Sequence, residues 1–222
     1  ISWTANAGLG NDTSSGNSGA STGTSDNGSV SISGDFGTIK VGAVTEADSN
    51  VGIADVGYDG IGIDNVAEEN RLLGTHDLSW NYAMDGISLD VSMNTHSDAS
   101  AVSAAWTSGA LSIRVAHGDD GTTGGASSNS GSISTSVGAF SISAMAAKHS
   151  TASKGTSSGV AASWAQDGFG TMTVVIAESD ADTDASYGIG FSKSLGGGAT
   201  LAGGYGSQDQ KNVGDIGISF SF

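Results

Sequence analysis

Apolar and polar residues alternate along most of this chain. The clearest case is the segment 212–222, where Ile216, Ile218, Phe220 and Phe222 alternate with small or polar residues. Strict alternation places one face of a β-strand against an apolar medium and the other face against water. An apolar aromatic residue at the end of a chain is unusual for a soluble domain, whose termini lie in solvent. The pattern therefore favours a strand whose outer face contacts lipid.

The same alternation predicts about fourteen strands. The first covers 1–9, the next two centre on 30–32 and 39–41, and the others lie near 72–84, 86–95, 99–107, 109–118, 129–137, 139–149, 156–166, 168–178, 183–194, 198–206 and 212–222. The acidic segment 45–70 has no strand periodicity and is predicted to be a loop. No apolar run approaches the roughly 20 residues of a transmembrane helix.

The predicted connections alternate between tight turns and long polar loops. The tight turns lie around Asp35, Asp85-Gly86, Ser108-Gly109, Gly138-Ala139, Asp167-Gly168 and 196–198, and the longer connections are 10–27, 45–71, 95–99, 118–129, 149–156, 178–183 and 206–212. Gly and Asp provide the positive φ angles that two-residue hairpins require. Short turns at one end and long loops at the other are typical of an outer-membrane β-barrel. The connections of a Greek-key sandwich do not alternate in length in this way.

Aromatic residues gather near the tight turns. They are Trp80, Tyr82, Trp106, Phe140, Trp164, Phe169, Phe220 and Phe222. Such a ring is typical of the headgroup zone of a membrane. The alternate apolar residues of 78–84, 87–93, 111–115 and 187–191 are predicted to face outward, and their small or polar neighbours inward. A solvated outer face would carry many Lys and Glu residues, which these strands lack.

The composition narrows the function further. The 222 residues include 36 Gly, no Pro and no Cys, so disulfides and thiolate metal sites are excluded. Seven basic residues against 23 acidic residues give a formal charge of −16. Nucleic-acid binding needs clustered Lys and Arg and is not expected, whereas cations should concentrate near the protein. We predict a single β-barrel domain over 1–222.

Three parts of the chain resemble general diffusion porins of Gram-negative bacteria, particularly the α-proteobacterial kind. They are the hairpin Ser-Gly-Asp-Phe-Gly-Thr-Ile-Lys-Val-Gly at 33–42, followed by the long acidic segment; the stretches 184–190 and 195–199; and the final segment 213–222. The resemblance implies a homotrimer in the bacterial outer membrane, surrounded by lipid and lipopolysaccharide, whose sixteen-stranded barrels fold their third long loop into the pore. Here fourteen strands are visible, or sixteen if an N-terminal hairpin is missing.

The third loop, 45–70, holds the candidate pore constriction. Its acidic residues are Glu46, Asp48, Asp55, Asp59, Asp64, Glu68 and Glu69. The opposing positive charges are predicted to be Lys40, Arg71 and Arg114, whereas Lys148, His76 and His117 have outward parity. An inward fold would place carboxylates at the narrowest point of the pore; the alternative is an acidic surface loop. The first hypothesis predicts passive diffusion of small hydrophilic solutes and ions with a preference for cations.

No arrangement of residues typical of an enzyme is visible. The four histidines lie near loop-side strand ends at spacings that match no zinc motif. The segment 180–184 resembles the start of a calcium loop but lacks the Gly and Glu that an EF-hand requires at positions six and twelve. We therefore expect no cofactor, with a structural calcium ion left open. The alternative function is a secreted Gly/Ser/Asp-rich calcium-binding β-solenoid or adhesin. An outer-membrane lipase would need a Ser/His/acid arrangement that the chain does not show.

Overall fold

The computed structural model describes residues 1–6, 28–72 and 74–221, with the backbone alone at 3, 5 and 6. Fourteen strands form one antiparallel sheet in which each strand pairs with its neighbours in sequence. They are β1 Ser2–Asn6, β2 Ser29–Gly34, β3 Gly37–Val44, β4 His76–Met84, β5 Ile87–Met93, β6 Ser100–Ser108, β7 Leu111–Asp119, β8 Ser127–Val137, β9 Phe140–His149, β10 Thr156–Gln166, β11 Gly170–Ser179, β12 Ser186–Gly196, β13 Ala199–Gln208 and β14 Lys211–Phe220. The fourteen predicted strands are confirmed to within a few residues.

Three predictions fall outside the described residues: the continuation of β1 to Leu9, the loop 10–27 and the terminal Phe222. Within the described residues no pairing joins β1 to β14. The up-and-down order nevertheless excludes the β-solenoid, whose repeats stack along one axis. That alternative is wrong.

The segment between β3 and β4 contains the short helices of the structure. A 3-10 turn covers Ala47–Asn50, and the single-turn α-helix α1 covers Ile63–Glu68. In the described part of the chain, no helix has both the length and the apolar character needed to cross a membrane.

All six predicted tight turns are present. In the turn between β4 and β5, for example, Asp85 has a φ of 50° and Gly86 a φ of 80°. These left-handed angles match the right-handed twist of the flanking strands.

The predicted long loop 206–212 is wrong. β13 and β14 stay paired as far as Gln208 and Lys211, and only Asp209 and Gln210 form the turn, with φ angles of 42° and 67°. The sequence concealed this pairing because Gly residues at 203, 204 and 206 interrupt the apolar alternation. Backbone hydrogen bonds continue across glycines, since the ladder does not depend on side chains.

The predicted faces of the sheet are confirmed. Ile87, Ile113 and Val115 are exposed on the outer face, whereas Ser92 and Ala116 are buried on the inner face. Core-like packing therefore lies inside the curved sheet, and the outer face is apolar and open. Such a face suits a lipid environment.

The aromatic residues near the tight turns contact one another within a strand and between a strand and the turn that follows it. The rings of Trp80 and Tyr82 stack with centroids 5.8 Å apart, and those of Trp164 and Phe169 lie 5.5 Å apart. Trp80 also donates its indole N–H to the main-chain oxygen of Phe36 over 2.8 Å. These contacts fix apolar rings at one level of the outer face.

His76 does not follow its predicted outward parity. Its side chain is buried and its Nδ1 lies 2.7 Å from the inward hydroxyl of Ser92. The pairing of β3 with β4 is irregular at this point, with a shift of register between Val41 and Val44, and the regular alternation of β4 does not extend to its first residue. His117 and Lys148 are exposed, as their outward parity predicts.

Candidate functional site

The segment 45–72, here called the inserted loop, lies across the inner face of the sheet. Its 3-10 turn contacts β5, β6 and β7, and α1 packs against β9 to β13. The main chain at Tyr58 and Asp59 reaches β14. The prediction of an inward-folded third loop is confirmed, and the alternative of an acidic surface loop is wrong.

Apolar side chains hold the loop against the wall. Val56, Ile63 and Val66 of the loop form one buried cluster with small and medium wall residues. Those wall residues include Ala147, Ala161, Val175 and Ala177. Ile63 is 0% exposed. This face of the loop behaves as a protein core, because burial of apolar area stabilises it in place.

Glycines on the inner face let the loop approach the wall closely. A Cβ atom added to Gly190 would lie 2.8 Å from the Cβ of Val56, and one added to Gly159 would lie 2.7 Å from the Cβ of Ala67. Real Cβ atoms do not approach so closely, so a larger residue would displace the loop. Because Gly159 and Gly190 have no side chains, the loop can lie directly against the backbone of the wall.

Inward hydroxyl groups of the wall bind the backbone of the loop. Ser92 accepts the N–H of Ala47 at 2.7 Å, and Ser128 accepts the N–H of Leu72 at 2.8 Å. Ser157 donates to the carbonyl of Ala67 at 2.6 Å. The small polar residues of the inner face thus satisfy backbone groups that no regular element pairs.

The carboxylate of Asp215 holds the tip of the loop. It accepts the main-chain N–H of Tyr58 and, at 2.7 Å, that of Asp59. The Tyr58 ring lies against Gly217, where a side chain would collide with it. Asp215 was not predicted to be a functional residue, although its parity in β14 already placed it inward.

Arg71 joins the two ends of the loop. Its guanidinium forms an ion pair with Glu68 and donates to the carbonyls of Val51 and, at 3.0 Å, Ser49. The Arg71 side chain is 7% exposed and that of Glu68 is 15% exposed. Burial raises the pKa of Glu68, and the positive charge of Arg71 opposes that rise.

Two of the predicted acidic residues are buried in the loop. Asp48 is 0% exposed and faces Gly118 on the wall, and burial raises its pKa to about 6. Asp64 lies beside Asp55, and burial, together with that neighbouring carboxylate, raises the pKa of Asp64 to about 7. Near neutral pH these two groups carry less negative charge than ordinary carboxylates would.

The other acidic residues reach the surface of the loop. Asp55, Asp59 and Glu69 are exposed, and Glu46 is half-buried. Glu69 accepts a hydrogen bond from Ser179 of β11. A role of any of these acids in a constriction stays a prediction.

The basic residues predicted to oppose the loop occupy different environments. Arg114 forms an ion pair of 3.4 Å with Asp90 on the wall, and Asn81 donates to the same carboxylate at 2.6 Å. Lys40 and Asp90 line a polar recess of about 140 Å³ beside the start of the loop. Lys40 forms no ion pair in the described part of the chain. Asp90 and Arg114 were both predicted to face inward, but the ion pair between them was not predicted.

No metal centre is evident in the part of the chain that the structure describes, where no three His, Asp or Glu side chains are close enough together to hold an ion. Asp180 accepts the N–H of Thr156 at 2.8 Å, and Asp184 accepts a hydrogen bond of 2.6 Å from Gln210. Both carboxylates therefore form hydrogen bonds with neighbouring connections at this end of the sheet. Calcium binding at 180–184 stays a prediction.

Comparison with known proteins agrees with this architecture. A family model described as Gram-negative porin matches residues 2–215. Two variants of the Rhodobacter blastica porin have TM-scores of 0.74 and 0.75 at 15% and 16% sequence identity; each comparison covers 88% of this chain and 76% of the other. Another porin structure has a TM-score of 0.70 at 22% identity, with 88% and 81% coverage. A search of curated protein sequences gave no match.

Proposed function

The chain belongs to the family of Gram-negative porins, and from that premise we propose that its channel carries small hydrophilic solutes and ions by passive diffusion and prefers cations. The protein is an outer-membrane channel and not an enzyme. The family match does not include a preference for cations. We base that part of the proposal on the charge of the inserted loop.

One observation carries the proposal: the loop that crosses the inner face is acidic along its whole length. Seven carboxylates lie between 46 and 69, and Arg71 is the first base that follows them. Arg71 is already paired with Glu68. The exposed carboxylates of Asp55, Asp59 and Glu69 consequently have no neutralising partner on the loop. Negative potential at a narrow aqueous passage raises the local concentration of cations.

The opposite part of the wall supports a second aspect of the proposal. Lys40 projects from β3 into the polar recess, and Arg114 lies further along the same inner face. Carboxylates on the loop and cations on the wall would orient dipolar solutes, while an apolar solute would displace water from these charged groups without replacing its hydrogen bonds.

A homotrimer in contact with lipid and lipopolysaccharide is the assembly we propose, since trimers are typical of porins. Electrophoresis with and without heating tests this part. A folded trimer should migrate as one large species that heating converts to monomer, and a monomer before heating would contradict it.

The loop hypothesis is tested by reversal potentials in planar bilayers. Neutralising Asp55, Asp59 and Asp64 together, as D55N/D59N/D64N, should lower the cation preference. The matched control neutralises three turn carboxylates far from the loop, as D35N/D85N/D167N, and changes the net charge by the same amount. Equal selectivity of wild type and the loop variant would reject the loop as the source of selectivity, as would an equal loss in the control.

A further inference from the structure

One row of outward residues on β10 to β14 has a gap in its side chains. Across the paired strands the row reads Trp164, Met172, Phe191, Gly203 and Ile216. Gly203 contributes no side chain, so a slot opens between Phe191 and Ile216. In the adjacent row towards the loops, Tyr205 lies over Gly214, with its ring 3.2 Å from the position of an added Cβ.

The slot is an apolar groove of about 450 Å³ on the outer face. Its lining is mainly apolar, with the residues Met172, Ile189, Phe191, Leu201, Tyr205 and Ile216, and it also includes Asp215, whose carboxylate is bound to the inserted loop on the inner side. Two neighbouring hollows, of about 320 and 630 Å³, lie beside it on β11 to β14, and the groove is the one of the three that reaches furthest towards the tight turns. Its shape and lining suit a hydrocarbon chain.

Lys193 is the positive charge next to the tight-turn end of the groove, and it lines a separate recess together with Asp167 of the turn between β10 and β11. Lys193 of β12 is paired with Leu201, which lines the groove. Lys148 and Glu178 also carry charges on the outer face, but they lie at the loop end of their strands. In the half of the described strands nearer to the tight turns, Lys193 is the one charged side chain on the outer face. Lys193 forms no ion pair with any described residue.

The aromatic residues place Lys193 at the level of lipid headgroups. Phe191 precedes it by two residues on the same face, and the rings of Phe191 and Phe169 lie 6.1 Å apart in an edge-to-face arrangement. Aromatic rings of this kind mark the membrane interface. A Lys side chain there extends its ammonium group to the headgroup zone while its methylene stem stays in apolar surroundings.

We propose that this groove binds an anionic phospholipid, with an acyl chain in the slot at Gly203 and the phosphate on Lys193. The proposal rests on the outer-membrane location, in which short turns face the periplasm, so the lipid belongs to the periplasmic leaflet. General electrostatic attraction does not explain such binding, because the protein carries a formal charge of −16. The selectivity for an anionic headgroup comes from Lys193.

Quenching of Trp164 by brominated phospholipids tests the site directly, since Trp164 lies in the same row. Trp3, Trp80 and Trp106 are replaced by Phe so that only Trp164 reports. The protein is reconstituted in phosphatidylcholine vesicles with increasing brominated phosphatidylglycerol or brominated phosphatidylcholine. We expect phosphatidylglycerol to bind about fivefold more tightly, as one Lys at a membrane surface contributes about 1 kcal/mol.

The variant Lys193→Gln should abolish this fivefold preference, and Lys148→Gln, which removes an outward charge at the loop end, should keep it. The proposal is overturned if the preference persists in Lys193→Gln, if Lys148→Gln loses it equally, or if the unmodified site shows none. Heat-modifiable migration of each variant confirms that its barrel is folded. The quenching measurement requires only that the barrel is inserted in the membrane. Cation selectivity is measured separately by reversal potentials, so a negative result in one experiment does not imply a negative result in the other.

Discussion

The main-chain N–H of Tyr58 donates to both carboxylate oxygens of Asp215, over 2.9 and 2.8 Å, across 157 positions of sequence. The tip of the inserted loop is thereby attached to the last strand of the sheet. Other attachments lie at the root of the loop and along α1. Asp215 is the strand residue that determines where the tip lies.

Asp215→Ala should release the tip. Without the carboxylate, the amides of Tyr58 and Asp59 lose their acceptor, and the tip gains freedom to move in the channel. Single-channel recordings should show greater open-channel noise than wild type. Asp35→Ala, which alters a distant turn, is the control and should leave the noise unchanged. Wild-type noise in Asp215→Ala would mean that apolar packing alone positions the tip.

Gly190→Val should displace the loop from the wall. The added side chain would meet Val56, whose Cβ lies 2.8 Å from the position of a Cβ on Gly190. Overpacking of this kind costs about 1–3 kcal/mol, so the heat-denaturation temperature should fall and the conductance should change. Gly131→Val is the control, because an added Cβ there meets its nearest atom at an ordinary 3.5 Å. Equal behaviour of the two variants would contradict close packing at Gly190.

Arg71→Gln should destabilise the root of the loop. The substitution leaves Glu68 buried without its ion-pair partner, and breaking a buried pair from one side costs about 3–5 kcal/mol. The double variant Arg71→Gln/Glu68→Gln should recover part of this loss, because no uncompensated charge then remains. A double-mutant cycle on heat denaturation measures the coupling; additive losses would show that the pair does not act as a unit.

Asp64 should make stability depend on pH. In the unfolded chain its carboxyl ionises near 3.8, whereas in the folded protein its pKa is about 7. The folded state therefore binds more protons between these values, and its stability falls as pH rises from about 4 to about 7. Asp64→Asn should remove this contribution and denature at a higher temperature than wild type at pH 8, with little difference at pH 4. A constant difference between the two proteins at all pH values would contradict the raised pKa.

The strands were predictable because lipid and the pore interior impose opposite requirements on alternate residues. In β5, Ile87, Leu89 and Val91 are exposed on the outer face, and Ser92 is buried on the inner face, as parity predicts. Prediction from alternation was wrong where glycines or an irregular strand pairing interrupt the alternation of apolar and polar residues. The glycines of β13 hid the apolar alternation that would have predicted the turn at Asp209 and Gln210, and His76 points inward where the pairing of β3 with β4 becomes irregular.

The inserted loop was predictable as an acidic segment but not in its contacts. Asp48 and Asp59 are both acidic residues of one loop, yet the first is buried against the wall and the second is exposed. Their difference depends on where the loop meets Gly118 and Asp215. Such contacts join residues far apart in sequence, and local periodicity contains no information about them.

We propose that this porin prefers cations because its inserted loop is acidic. The most direct test is the zero-current potential of the wild-type protein in a planar bilayer separating two concentrations of KCl. We expect discrete ohmic channels with a potential of the sign that K⁺ permeation gives, and a preference that weakens as salt concentration rises. A potential of the opposite sign, or the absence of channels from folded protein, would contradict the claim.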